Sequence, residues 1–169
     1  IINYFKKNKF NKVILIKRPN YLSGPYTNTD TLIKYVPKIL RSDHILWTHV
    51  TSPFFNNIDY DNAIQVYKKN IKRNDSLIGV NKIQNFLYSK TKPINFNRNK
   101  EKWPRTQTLK KLYEVNNAIF ISSRENYLKY NDRIGKKPFL LEIEKIKSFD
   151  IDWPEDFLIA ENIYETLYK

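Results

Sequence analysis

The chain has 169 residues, a formal net charge of +13, no cysteine and no methionine. One domain fits that length, and the missing cysteines exclude disulfides, thiolate zinc and cysteine nucleophiles. Two histidines, His44 and His49, are too few for a histidine-built metal centre. No apolar run approaches the ~20 residues of a membrane helix and no signal peptide opens the chain, so a soluble cytoplasmic domain is expected.

The charge is partly compositional. Lysine (23), isoleucine (21) and asparagine (20) dominate while alanine numbers 3, a profile that A/T-rich codons favour. Its distribution says more. Residues 1–111 hold 22 basic and 6 acidic side chains, and residues 112–169 hold 8 and 11. A basic body beside an acidic tail suits an anionic substrate next to carboxylates, and equally a solvated surface.

The opening residues 1–7 read as the interior of a helix, so a longer parent chain is expected. Residues 12–17 (KVILIK) form a short β-branched apolar run, expected to be a buried strand stopped by Arg18-Pro19. Thr29 or Asp30 caps a helix with Leu32, Ile33, Val36, Ile39 and Leu40 at helical spacing, Pro37 being a local defect. Residues 44–50 are a second strand ended by Thr51-Ser52-Pro53. A helix from Asp59 or Asp61 through Tyr67 follows, then a strand over 75–80. Residues 81–112 form an irregular polar excursion whose lysines are not expected to build a core of their own. A strand over 114–121, a short helix over 125–130 and extended pieces at 139–143 and 149–152 come next. Pro154 with Glu155 and Asp156 opens the last helix.

This alternation predicts one α/β domain over residues 1–169, doubly wound around a mostly parallel sheet. Ligands of such sheets bind beyond the carboxyl ends of the strands, where Arg18, Thr51-Ser52 and Asp150 to Asp152 fall. Asp150 and Asp152 stand two apart on an extended segment, so their carboxylates share a side at ~6.5–7 Å. They repel by roughly 2.5 kcal/mol at an effective dielectric of ~20. A cation reverses that sign, and magnesium suits one or two carboxylates plus phosphate oxygens. A solvated acidic turn is the plain alternative.

Arg105 and Gln107 lie in a non-periodic stretch able to recognise carboxylate or sugar oxygens, and Asn116-Asn117 can supply a turn or an amide facing a cleft. His49 and Ser52 are three apart on an extended run and tend to face opposite sides. No Gly-x-Ser-x-Gly elbow is present, so hydrolase chemistry is rejected.

In order, the chain reads Arg18-Pro19, His49-Val50-Thr51-Ser52-Pro53, Pro104-Arg105-Thr106-Gln107, Asn116-Asn117-Ala118-Ile119-Phe120-Ile121, Asp150-Ile151-Asp152, Asp156-Phe157 and Ala160-Glu161. This succession resembles the acylneuraminate cytidylyltransferases, the CMP-sialic acid synthetase and CMP-nonulosonate synthetase family. The resemblance implies the nucleotide-diphospho-sugar transferase fold with a dimerising excursion at 81–112. It also implies transfer of CMP from CTP to a nine-carbon, sialic-acid-like sugar acid with release of pyrophosphate.

On the matched positions, Asp150 and Asp152 would hold Mg2+ on the phosphates. Arg18, His49, Ser52, Arg105, Gln107 and Asn116 would meet substrate, and a homodimer is implied. His49, Asn117 and Phe120 depart from the family's glutamine, glycine and tyrosine, which leaves the sugar open. The basic glycine/serine loop that wraps the CTP phosphates has no counterpart in residues 1–169, so a strand, loop and helix are expected before Ile1. Other readings are a transferase acting on another sugar, a non-catalytic remnant of the fold, and a basic nucleic-acid-binding module. Against the last, the basic residues are scattered and no RNA-binding signature appears.

Overall fold

In a computed structural model the protein is described at residues 2–8, 10 and 12–168. Helices α1 (Ile2–Asn8) and α2 (Thr29–Ile39) precede strand β1 (His44–Trp47). Then come α3 (Asn57–Asn70), β2 (Ser76–Ile83), β3 (Leu112–Ser123), α4 (Arg124–Tyr130), β4 (Pro138–Glu142) and α5 (Pro154–Tyr168). The sheet order is β1-β3-β2-β4. β3 runs antiparallel to both β1 and β2, and β4 runs parallel to β2, so three of the four strands point one way.

Alternation along the strands sends side chains to opposite faces. Leu77, Ile119 and Ile121 pack with Ala63 and Tyr67 of α3 on one face. Ile78, Val80 and Phe120 look the other way, where Trp47 bridges them to Ile33 of α2 and Tyr127 of α4. Helices therefore cover both faces, as a doubly wound domain requires. The cap of α2 is Asn28, whose Oδ1 accepts from the Thr31 N–H. α3 starts at Asn57 behind a capping box in which Asn56 and Asp59 satisfy each other's backbone donors. Pro37 stays within α2, and its carbonyl accepts from Arg124 Nε.

Three expectations are corrected. Residues 12–17 are not a strand: they are unpaired and exposed, Ile14 by 86%. A buried strand needs a ladder partner, and among the described residues none pairs with this run or with the outer side of β1. Of the two roles open to Asn116 and Asn117, the turn is excluded. They lie inside β3, and the single non-glycine residue of positive φ among those described is Asn131.

The excursion does hold a small cluster of its own. Phe86 meets Phe96 and Trp103 edge-on at 5.1 and 5.4 Å, and Arg98 lies over Trp103 and donates to Tyr88. Buried Asn95 accepts from the Leu87 N–H and donates to the carbonyls of Asn85 and Lys110. Lysine content hid this cluster because the aromatic residues meet across a hairpin, not along a helix or strand period. No helix among the described residues is long and apolar enough to cross a membrane.

Candidate active site

The carboxyl end of β1 carries the chain through Thr48, His49 and Ser52 into the buried pair Phe54 and Phe55. Thr48 Oγ1 donates to the Ala118 carbonyl of β3, which fixes where the strand ends. Residues 149–152 run alongside, joined by the Ile151 N–H donating to the Thr51 carbonyl at 2.9 Å. Two anchors hold that segment. Lys147 pairs with Asp59 at the start of α3 at 2.6 Å, and the Phe149 ring lies 6.3 Å from that of Phe54. Asp156 Oδ2 accepts from the N–H groups of Asp152 and Trp153 at the entry to α5.

The Asp150 carboxylate is gripped on one side alone. Oδ2 accepts from Asn117 Nδ2 at 2.6 Å, while Oδ1 is buried with no hydrogen-bond partner among the described residues. Ser52 Oγ is likewise buried and unpartnered. Such atoms carry the full cost of lost hydration. Asp152 is exposed two residues on. Among the described residues no group of three or more His, Asp or Glu side chains could hold a metal ion unaided.

His49 joins the same region. Its Nε2 lies 2.8 Å from Arg133 Nη1 and 3.2 Å from Trp47 Nε1. Burial, then the Arg133 guanidinium, hold its protonation below the ordinary histidine range, and Asp150 and Asp152 act weakly the other way. Arg133 sits 3.7 Å above the Phe120 ring and 5.6 Å from that of Trp47. Burial also lowers the guanidinium from its ordinary value.

Asn116 is buried, donating to Asn81 Oδ1 at 2.9 Å and accepting from the Ala118 N–H at 3.2 Å. Its partner Asn81 lines a cleft of about 550 Å3 at the carboxyl ends of β2 and β4, together with Gln84, Glu114, Glu142 and Glu144 among others. Gly79 makes room for Asn116, since a Cβ there would stand 2.5 Å from Asn116 Oδ1.

The structure thus brings together His49, Ser52, Asp150 and Asp152. Arg105 and Gln107 stay on the exposed excursion, where the Gln107 carbonyl accepts from Gln84 Nε2. Arg18 is exposed and folds onto the Leu22 carbonyl. Sequence reasoning missed Arg133 altogether, and it offered Asn117 as a turn residue, a cleft-facing amide or a departure from glycine without naming Asp150 as its partner. Nothing local marks either one, because their partners are 84 and 33 residues away.

No protein-family model matches the chain. An N-acylneuraminate cytidylyltransferase of Streptococcus agalactiae serotype III is 23% identical over 151 residues, covering 86% of this chain and 36% of the relative. The serotype V protein of the same name is 22% identical over 150 residues. The chain therefore spans about a third of the length of these curated relatives.

Among solved structures, 4-diphosphocytidyl-2C-methyl-D-erythritol synthase from Anaerococcus prevotii superposes with a TM-score of 0.60 at 13% identity, over 82% of this chain and 67% of that one. Bifunctional IspDF from Campylobacter jejuni gives 0.59 at 14% identity, over 93% of this chain and 39% of the other. The chain is similar in sequence to N-acylneuraminate cytidylyltransferases and shares the fold of these two structures, as its ordered motifs led us to expect.

Proposed function

We propose that this chain is part of a cytosolic, CTP-dependent cytidylyltransferase that makes the CMP derivative of a nine-carbon sugar acid. One observation carries the reading. A carboxylate at the strand ends, held by Asn117 on one oxygen, keeps its other oxygen buried and unsatisfied. Asp152 follows it on the same segment, and the sequence is similar to enzymes named for this activity.

The donor set fits magnesium, which takes one or two carboxylates and draws its remaining ligands from phosphate oxygens and water. When bound, the ion would neutralise charge building on the phosphates. Asp150 and Asp152 would hold it, and Asn117 fixes the rotamer of Asp150. His49 and Ser52 lie on the neighbouring loop and would meet substrate oxygens in this reading. The sugar's anomeric oxygen would form a bond to the α-phosphorus while the bond to the departing pyrophosphate breaks.

The triphosphate needs a cradle of backbone N–H groups and cationic side chains. The three glycines do not supply one. Gly79 faces Asn116 and Gly135 faces Asp75, and Gly24 lies in a turn next to Thr27. We place that cradle outside residues 1–169, so this stretch alone should bind CTP poorly. The excursion, with Arg105, packs against a two-fold mate in this reading.

The deciding assay is pyrophosphate release from CTP, magnesium and a nine-carbon sugar acid, run on the parent chain and on residues 1–169. The parent should turn over and the 169-residue chain should not. In the parent, Asp152→Asn should cost at least ~100-fold in turnover with little loss of stability. Near-normal turnover of that variant at saturating magnesium would remove the carboxylates from the reaction.

A further inference from the structure

Arg133 and the Trp47 indole each bring an N–H to the same ring nitrogen of His49, at 2.8 and 3.2 Å. A guanidinium and an indole are donors with no acceptor atom to offer. Nε2 must therefore be the bare, accepting nitrogen, and the proton of the neutral imidazole must sit on Nδ1. Free imidazole exchanges between two tautomers, and here one of them would drive three donors together.

Ring contact and burial support this arrangement. Arg133 is clamped 3.7 Å over the Phe120 ring, and Phe120 is fully buried in β3 opposite Trp47. No carboxylate among the described residues forms a salt bridge with Arg133. The charged groups acting on the imidazole are Arg133, Asp150 and Asp152.

We infer that Arg133 and Trp47 are positioning residues that lock His49 as its Nδ1–H tautomer, so that His49 serves as a fixed hydrogen-bond donor to a substrate oxyanion and not as a base. The adjoining cation favours a negatively charged oxygen, carboxylate or phosphate, over a neutral hydroxyl. With Nε2 already occupied, His49 has no free lone pair with which to take a proton from an attacking hydroxyl. The transferase reading enters only in naming whose oxygen is met, and the lock itself is independent of it.

Long-range 1H–15N correlation spectra of the labelled chain at neutral pH read the tautomer directly, with no turnover involved. His49→Asn assigns the signal, leaving His44 as the other ring. We expect a protonated Nδ1 and a bare Nε2 at His49. An Nε2–H tautomer or an imidazolium would overturn the inference.

Arg133→Gln and Trp47→Phe should each move the ring towards the mixture of free imidazole, and Arg133→Lys should restore part of the Nδ1–H population. The Trp47→Phe spectrum decides the matter if Arg133→Gln does not fold, and an unchanged tautomer in both variants would refute the roles given to these residues. Titration with inorganic phosphate and, separately, acetate should shift the His49 Nδ1–H signal where sodium chloride at matched ionic strength does not. The stronger of the two responses tells phosphate from carboxylate, and no response to either would refute the oxyanion.

Discussion

Replacing Gly79 by alanine would test whether the sheet and the candidate site are mechanically one object. Gly79 is buried in β2 and its φ is not positive, so backbone conformation places no demand for glycine there. The demand is for space. A Cβ would stand 2.5 Å from Asn116 Oδ1 and 2.8 Å from Ile143 Cδ1. Ile143 can give way by rotating a terminal methyl, but Asn116 is held by two hydrogen bonds, to Asn81 and from the Ala118 N–H.

Displacing the amide forfeits about 1 kcal/mol for each bond. Overpacking adds roughly 1–3 kcal/mol, and relief of the glycine's entropy returns about 0.5–1 kcal/mol. The net is a loss of about 2–4.5 kcal/mol, to be read from urea unfolding at an unchanged m-value. Because Asn116 is the obstacle, the pair Gly79→Ala with Asn116→Ala should lose less than the sum of the singles by about 1–3 kcal/mol. A Gly79→Ala variant within ~0.5 kcal/mol of the unsubstituted protein, or strict additivity in the double variant, would show that the amide is not wedged as described.

Other consequences are open to simpler measurements. Asn117→Ala removes the hydrogen bond to Asp150 Oδ2 and should lower stability by about 1.5–3 kcal/mol, the range for bonds to charged groups; a silent variant would mean that Asp150 is held some other way. Burial, then Asp75, push the Tyr67 phenol up to about 12. Its folded value exceeds the unfolded ~10, so its stabilisation is whole below pH ~10 and is lost as pH rises through about 12. Tyr67→Phe should flatten that part of the alkaline decline, and an unaltered profile would contradict the assignment. The proposed two-fold mate would meet the excursion, where Trp103 is 69% exposed beside Phe86, so Trp103→Ala should weaken that association. A dimer of this kind should bury more than ~1,000 Å2, and a parent that sediments as a monomer at micromolar concentration would refute the mate.

Much of the architecture was legible because it is written in local chemistry. Short apolar segments between turn and helix signals placed β1, β2 and β3, and helical spacing placed α2. Pro154 with two acids announced α5, where Asp156 accepts two backbone hydrogen bonds at the helix entry. The order of short motifs from Arg18 to Glu161 carried the likeness to cytidylyltransferases, since each motif is contiguous. Asp150 and Asp152 could be singled out for the same reason, being neighbours along one extended segment.

Direction and partnership were decided only in three dimensions. Apolar alternation says that a residue faces a core, yet it is identical for a strand run either way, so β3 gave no sign of being antiparallel to β1 and β2. The run at 12–17 has a strand's composition, but a strand exists through its ladder, and no described segment provides one. Asn117 on Asp150 and Arg133 on His49 are contacts across 33 and 84 residues of chain. Sequence spacing carries no trace of them, because chain folding, not adjacency, sets which donor reaches which acceptor.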